Sequence, residues 1–181
     1  MPTAQLPLVG EFTSDPIHSS FQFTVRHMVV SLYRATFNDA SASLSIDESG
    51  ARLKGVAQAA SISIDDKNFR AHVVDGADFL DAASHPEITF ESDAVTLNPD
   101  QTATVEGRLS LRGVEKPVDA TGSWEPPVED PFGKVRAGLR LTASIDRRDW
   151  GITWQDPLPK GGDVLAYEIE LTIELQLILQ Q

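Results

Sequence analysis

The last stretch of the chain alternates strictly. Leu165, Tyr167, Ile169, Leu171, Ile173, Leu175 and Leu177 are separated by Ala166, Glu168, Glu170, Thr172, Glu174 and Gln176. A period of two puts one apolar and one wet face on an extended strand, whereas a helix would scatter Ile169 and Ile173 away from Leu171 and Leu175. The same period runs through Val135, Ala137, Leu139, Leu141, Ala143 and Ile145, and through Val105, Leu109 and Leu111. Gly113 breaks the latter run, Val118 to Trp124 returns, and Gly113-Val114-Glu115-Lys116 reads as the hairpin turn between them. Phe21, Phe23 and Val25 alternate with Gln22, Thr24 and Arg26. Residues 34–47, 52–64 and 86–97 also read as extended. Helical turns are expected only at 27–32 and 66–74, the second capped by Asp66. Residues 126–133 and 155–163 read as loops.

About eight extended segments with one apolar face predict an all-β, antiparallel fold. A sheet that large must hide its edges, and long strands with a continuous apolar inner face favour closure into an eight-stranded barrel, with short helices between strands. Such a barrel has room for packed side chains or for one small ligand. No repeat or interdomain linker appears, so residues 1–181 read as a single domain, with 1–11 as a flexible N-terminal extension.

Composition narrows the function. Hydrophobic residues are 41% of the 181, enough for a sizeable core, and 27 acidic against 15 basic residues give a net charge of −12. That balance gives no obvious attraction for nucleic acid or an anionic membrane, and no long Lys/Arg run marks a basic patch, although a local one remains open. There is no cysteine, hence no disulfide, thiolate metal site or cysteine nucleophile. The opening MPTAQLPLVGEF lacks the charged and apolar regions of a signal peptide. No stretch has the run of about 18 apolar residues that a membrane helix needs. A cytoplasmic location without stable membrane insertion is the expectation.

Catalytic patterns are weak. His18 and His27 stand at odd spacing, which places them on opposite faces of a strand. No HExxH, GxSxG or GxGxxG occurs. His18 next to Asp15 reads as a device that fixes the start of a strand, with Asp15 making a turn hydrogen bond. Asp146-Arg147-Arg148-Asp149 reads as a turn laced with surface ion pairs, each worth little, or alternatively as a site where one arginine meets a buried carboxylate, with Asp65 and Asp66 as candidates. Trp150 and Trp154 are expected to cover a barrel end. Neither a catalytic residue, a metal ligand nor a cofactor is assigned.

Four blocks of sequence in order resemble the YceI-like family, over roughly Phe12 to Leu177. They are Asp15 with His18-Ser19 and Phe23-Thr24-Val25-Arg26-His27-Met28; Ala77-Asp78-Phe79-Leu80-Asp81 with Pro86-Glu87-Ile88-Thr89-Phe90; Leu109 to Val114 with Lys116-Pro117-Val118; and Ile145 to Trp154. The resemblance implies a lipocalin-like barrel that binds a long apolar molecule, a polyprenoid or isoprenoid quinone, in an elongated tunnel. The Asp66–Val74 segment is only loosely similar, and Gly161-Gly162-Asp163-Val164-Leu165-Ala166 carries an aspartate and an alanine where the family often differs. Inward apolar positions expected to line the tunnel are Phe21, Phe23, Val25, Met28, Phe37, Phe69, Phe79, Phe90, Leu139, Leu141, Tyr167 and Ile169. His27 is expected to offer a ring nitrogen to a head group at the mouth. Two other readings remain open: an enzyme acting on such a lipid, and a filled barrel that binds a protein. Ile178 and Leu179 break the last alternation and mark a candidate dimer seam.

Overall fold

The computed structural model describes residues 7–181. Ten strands follow one another: β1 (Gly10–Ser14), β2 (Ser20–His27), β3 (Ser31–Thr36), β4 (Ala40–Asp47), β5 (Gly50–Gln58), β6 (Glu87–Leu97), β7 (Thr102–Leu111), β8 (Val114–Glu129), β9 (Val135–Asp146) and β10 (Leu165–Leu179). One α-helix, α1 (Lys67–Asp75), lies between β5 and β6. From β4 onward each strand pairs antiparallel with the next, and β10 returns to pair with β1 and β2.

Ten strands make eight positions around a closed barrel. β1 and β2 lie end to end along one edge of β10, with Ser14 opposite Leu177 and Ser20 opposite Glu174. β3 and β4 repeat the arrangement one position over, against β2 and β1. Beyond β3, Phe37 bridges to Ile62 and Ser63 N–H donates to Thr36 O. The expected eight-stranded antiparallel barrel is therefore present, with two of its strands interrupted.

The interruption at residues 15–19 is closed by side chains that replace missing ladder bonds. Ser19 Oγ accepts from Gln176 N–H at 3.1 Å, and Asp15 N–H donates to Gln176 O at 2.8 Å. The buried Asp15 carboxylate also accepts from Ile17 N–H, His18 Nδ1 and Arg136 Nη1, at 2.9, 2.9 and 2.8 Å. The His18 bond foremost, then the Arg136 bond, hold this carboxyl far below the usual carboxylate range. Arg136 continues to Asp130 at 2.6 Å. The Asp15–His18 pairing expected from the sequence is thus a seam closure (with an arginine added from β9).

The connections sort to two ends. The hairpin 28–30, α1 with its flanks, the 112–113 turn and the 147–164 crossover share one end, here the upper. The 48–49, 98–101 and 130–134 turns share the other, with the C-terminus. The lower half is solid: Phe12, Leu44, Val105, Leu139 and Leu177 are almost wholly buried in one cluster. A second cluster, including Ile62, Val74, Leu109 and Trp150, surrounds the upper half.

Several boundaries differ from the sequence reading. Residues 27–32 hold no helical turn; β2 turns tightly into β3, with His27 opposite Ser31 and Met28 and Val29 at φ 53° and 65°. Primed turns match strand twist but demand left-handed backbone, which costs a branched residue about 1–3 kcal/mol. Asp66 does cap α1, accepting from Phe69 N–H at 2.8 Å. The β7–β8 turn is centred on Arg112 and Gly113, both at positive φ, so Val114 already pairs with Leu111. β8 runs on to Glu129 through Pro126 and Pro127, which sit in a register shift between Glu125 and Val128; proline is tolerated where the ladder is already broken. Residues 1–6 of the expected N-terminal extension lie outside the described residues. Gly10 and Glu11, by contrast, are paired with β4, and Leu8 packs on the lower cluster. Leu179 also packs there, and neither it nor Ile178 stands exposed.

Candidate functional site: an apolar cavity in the upper barrel

Above the solid half lies a cavity of about 310 Å³, within the range of small-ligand sites. Its wall follows the inward face of each strand. β2 contributes Phe21, Phe23 and Val25; β7, Leu109 and Leu111; β9, Leu141, Ala143 and Ile145; β10, Ile169, Leu171, Ile173 and Leu175. The lining extends along β10 from Leu165 to Leu175, about 26 Å of strand at about 3.3 Å per residue once the bulge opposite β2 is allowed for. With the usual barrel tilt that is about 20 Å along the axis.

The floor is set by residues that face both the cavity and the lower cluster: Ala42, Leu53, Phe90, Ala120, Leu141 and Leu175. The Phe90 ring packs over Gly107 of β7, which leaves room for it. A Cβ on Gly107 would stand 2.4 Å from Phe90 Cζ and 2.6 Å from Glu91 O.

Aromatic rings crowd the upper end. Phe23 packs on Phe37 with centroids 6.0 Å apart, and Tyr33 meets Phe69 edge-on at 5.8 Å. Phe79 stacks on Trp154 at 5.4 Å, and His72 sets its ring edge-on to both. α1 supplies Phe69, His72 and Val73, which at spacings of three and four fall on one helix face. Phe69 is both a wall residue and 42% exposed, so the cavity reaches the surface beside it. Burial, aided by Asp65, pushes the Tyr33 phenol up.

A buried arginine braces the crossover. Arg147 donates to Ile152 O at 2.7 Å, Ala166 O at 2.9 Å and Leu165 O at 3.1 Å, and its guanidinium lies 4.7 Å from the Tyr167 ring centroid. Burial pulls its pKa down. The buried carboxylate of the alternative reading is replaced by backbone carbonyls, which satisfy the guanidinium without a second buried charge. Arg148 takes Asp146 instead, at the surface. Trp150 is fully packed and donates to Leu109 O at 3.0 Å, while Trp154 faces the cavity.

Of the positions singled out from the sequence, Phe21, Phe23, Val25, His27, Phe37, Phe69, Phe79, Phe90, Leu141 and Ile169 are in the wall. Three are not. Leu139 is one inward position below Leu141, under the floor and 2% exposed. Met28 sits on the exposed hairpin. Tyr167 lies beneath Arg147 and Arg148, because two residues of β2 span four of β10 between Leu165 and Ile169 and the alternation slips there. Tyr33, His72, Leu109, Leu111, Leu171 and Ile173 line the cavity without being among those positions, and Trp154, expected to cover a barrel end, lines it too. Their signal was present: Tyr33 alternates with Ala35 and Phe37, and His72 follows Phe69 by three.

Among the described residues, no buried side-chain nitrogen or oxygen lacks a hydrogen-bond partner. No group of three or more His, Asp or Glu gathers in a metal-binding arrangement. No helix is long and apolar enough to cross a membrane. The cavity thus offers a wall that is almost wholly hydrocarbon, to which an apolar ligand loses no hydrogen bonds.

Known proteins share this architecture. A UPF0312 protein of Pseudomonas syringae pv. tomato is 31% identical over 160 residues, spanning 87% of this chain and 80% of the relative. One of Pseudomonas aeruginosa (strain LESB58) is 33% identical over 138 residues, 75% of this chain and 71% of the relative. The crystal structure of BcnA from Burkholderia cenocepacia superposes with a TM-score of 0.72 at 19% identity, covering 92% of this chain and 99% of that one. A structure described as a polyisoprenoid binding domain, from Saccharophagus degradans, superposes with a TM-score of 0.67 at 12% identity, covering 95% and 99%. The family model for the YceI-like domain matches residues 12–177, so the chain belongs to the YceI-like family.

Proposed function

We infer that the protein binds a long apolar molecule of the isoprenoid class, a polyprenoid or an isoprenoid quinone, and carries or sequesters it. The observation that supports this best is the elongated cavity whose wall is built almost wholly of apolar side chains. A tail with no hydrogen-bonding groups loses nothing on entering such a space and gains about 25 cal/mol per Å² of apolar surface removed from water. The fold is shared with a domain described as polyisoprenoid binding.

In this reading the tail lies between Phe21, Phe23 and Val25 on one side and Leu141 and Ile169 on the other, ending at Phe90. Phe37, Phe69 and Phe79 surround its upper part. His27, Tyr33 and His72 stand where a polar head would emerge. The role is binding rather than turnover, because these polar groups stand at the mouth and not along the buried tail.

Native mass spectrometry of freshly purified protein, with organic extraction of what it releases, tests the reading. A discrete apolar mass with repeating isoprene units is expected, or uptake of an added polyprenol or isoprenoid quinone at one per chain. A bare protein mass that stays unchanged after incubation with both classes would overturn it.

A further inference from the structure

The β2–β3 hairpin carries a feature that the cavity does not explain. Its tip is Met28-Val29-Val30, with Val29 55% and Val30 82% exposed, and Leu32 stands exposed just beyond. Three apolar residues at a hairpin tip are poorly placed for solubility, and exposed apolar clusters mark contact surfaces. The tip is also held against local backbone preference: Val29 is a branched residue at φ 65°, where glycine or asparagine would relieve the strain.

Its charge is unlike that of the rest of the chain. From Pro16 through Asn38 there is no Asp or Glu, although the whole chain has a net charge of −12. Arg26 and Arg34 lie on the outer face of the hairpin, flanking Leu32: Arg26 pairs across to Leu32 and Arg34 to Thr24. Among the described residues neither arginine has a carboxylate partner, and Arg26 donates only to Val29 O.

The tip is continuous with the cavity entrance. His27, next to Arg26, is a wall residue. Met28 N–H donates to Val164 O at 2.7 Å, and Val164 lines the cavity too.

We propose that the β2–β3 hairpin is a membrane-contact tip, which inserts Val29 and Val30 shallowly into an anionic bilayer while Arg26 and Arg34 meet lipid phosphates, so that the cavity mouth faces the source of its cargo. The proposal rests on the apolar-ligand reading and adds where the ligand is exchanged. Contact is transient, because two valines and two arginines are a small anchor and the remaining surface is acidic.

Flotation with vesicles of phosphatidylglycerol and phosphatidylcholine in equal parts tests it, with the full chain and its Val29→Gly/Val30→Ser variant. The wild type is expected to float with these vesicles, less at high salt and less with phosphatidylcholine alone. The variant should lose about tenfold in vesicle affinity, the equivalent of about 55 Å² of apolar surface that shallow insertion of the two valines withdraws from water. Val29→Gly alone should raise the thermal midpoint, so lost binding cannot be put down to misfolding. Uptake of an isoprenoid quinone from solution should be unchanged in the variant, and uptake from loaded vesicles slowed. Equal flotation of wild type and variant, or none by the wild type, would overturn the proposal. So would concentration-dependent self-association abolished by the variant, which would make the tip a contact between two copies. Failure of quinone uptake from solution by the wild type would instead refute the ligand reading.

Discussion

Ala143→Phe separates a hollow upper barrel from a filled one. Ala143 faces inward on β9, one step above Leu141 and opposite Leu171 on β10, and is part of the cavity wall. In a packed core, an added phenyl ring forces neighbours off their rotamers and costs about 1–3 kcal/mol. In a cavity of about 310 Å³ the ring enters free space, and burying it contributes up to about 2 kcal/mol. The two cases differ in sign, which urea denaturation at equilibrium resolves. The ring also occupies the space of the proposed cargo. Displacing about 100 Å² of ligand contact at about 25 cal/mol per Å² removes about 2.5 kcal/mol, or about 70-fold in affinity. The expected result is an equal or higher urea midpoint together with nearly abolished quinone binding, read by tryptophan quenching. A destabilised variant, or a stable one that binds as tightly as the wild type, would refute the reasoning from cavity to function.

Three further substitutions probe the frame around the cavity. Arg147→Met should cost about 3 kcal/mol or more in urea stability, since three backbone carbonyls lose a charged donor, and Arg147→Lys should recover only part, because an ammonium lacks the planar fork. Asp15 titrates below its unfolded value near 3.9, so its contribution is present above about pH 4 and fades as pH falls through the lowered folded value; Asp15→Asn should weaken the fold at neutral pH and flatten the loss of midpoint below pH 4. Gly107→Ala should destabilise by about 1–3 kcal/mol, because its methyl meets both Phe90 and the Glu91 carbonyl, whereas Gly55→Ala, whose nearest contact would be 3.7 Å away, should be tolerated in the same melting assay.

Much of the barrel was legible because period-two alternation reports directly which face of a strand is dry. It found β2, β7, β9 and β10 and the inward side of each. It could not locate the floor: Leu139 and Leu141 have the same pattern, and what divides them is how Phe90 and Leu175 pack across the barrel from other strands. It also failed where the backbone leaves its period, as at the bulge that turns Tyr167 away and at the left-handed turn that puts Met28 outside. The buried role of Arg147 was hidden for another reason. Its partners are main-chain carbonyls, which exist at every residue and leave no trace in side-chain identity, whereas a carboxylate partner would have been visible. Asp15 and His18 were readable because their contact is local, but Arg136 joins them from far along the chain.

The seam formed by β10 with β1 and β2 has a consequence for how the molecule comes into being. The first and last strands are neighbours, so the barrel closes only through contacts between the most distant parts of the chain. Ordering so long a loop before any seam bond forms makes acquisition of the native state slow, on the millisecond-to-second scale common to topologies dominated by non-local pairing. During synthesis, β1 and β4 through β9 can form a curved open sheet with the β2–β3 hairpin beside it, but its margins stay unpaired until β10 emerges from the ribosome. That interval, when a greasy concave face and two bare strand edges are exposed together, is the stage at which the nascent chain is most prone to aggregate and most in need of a chaperone.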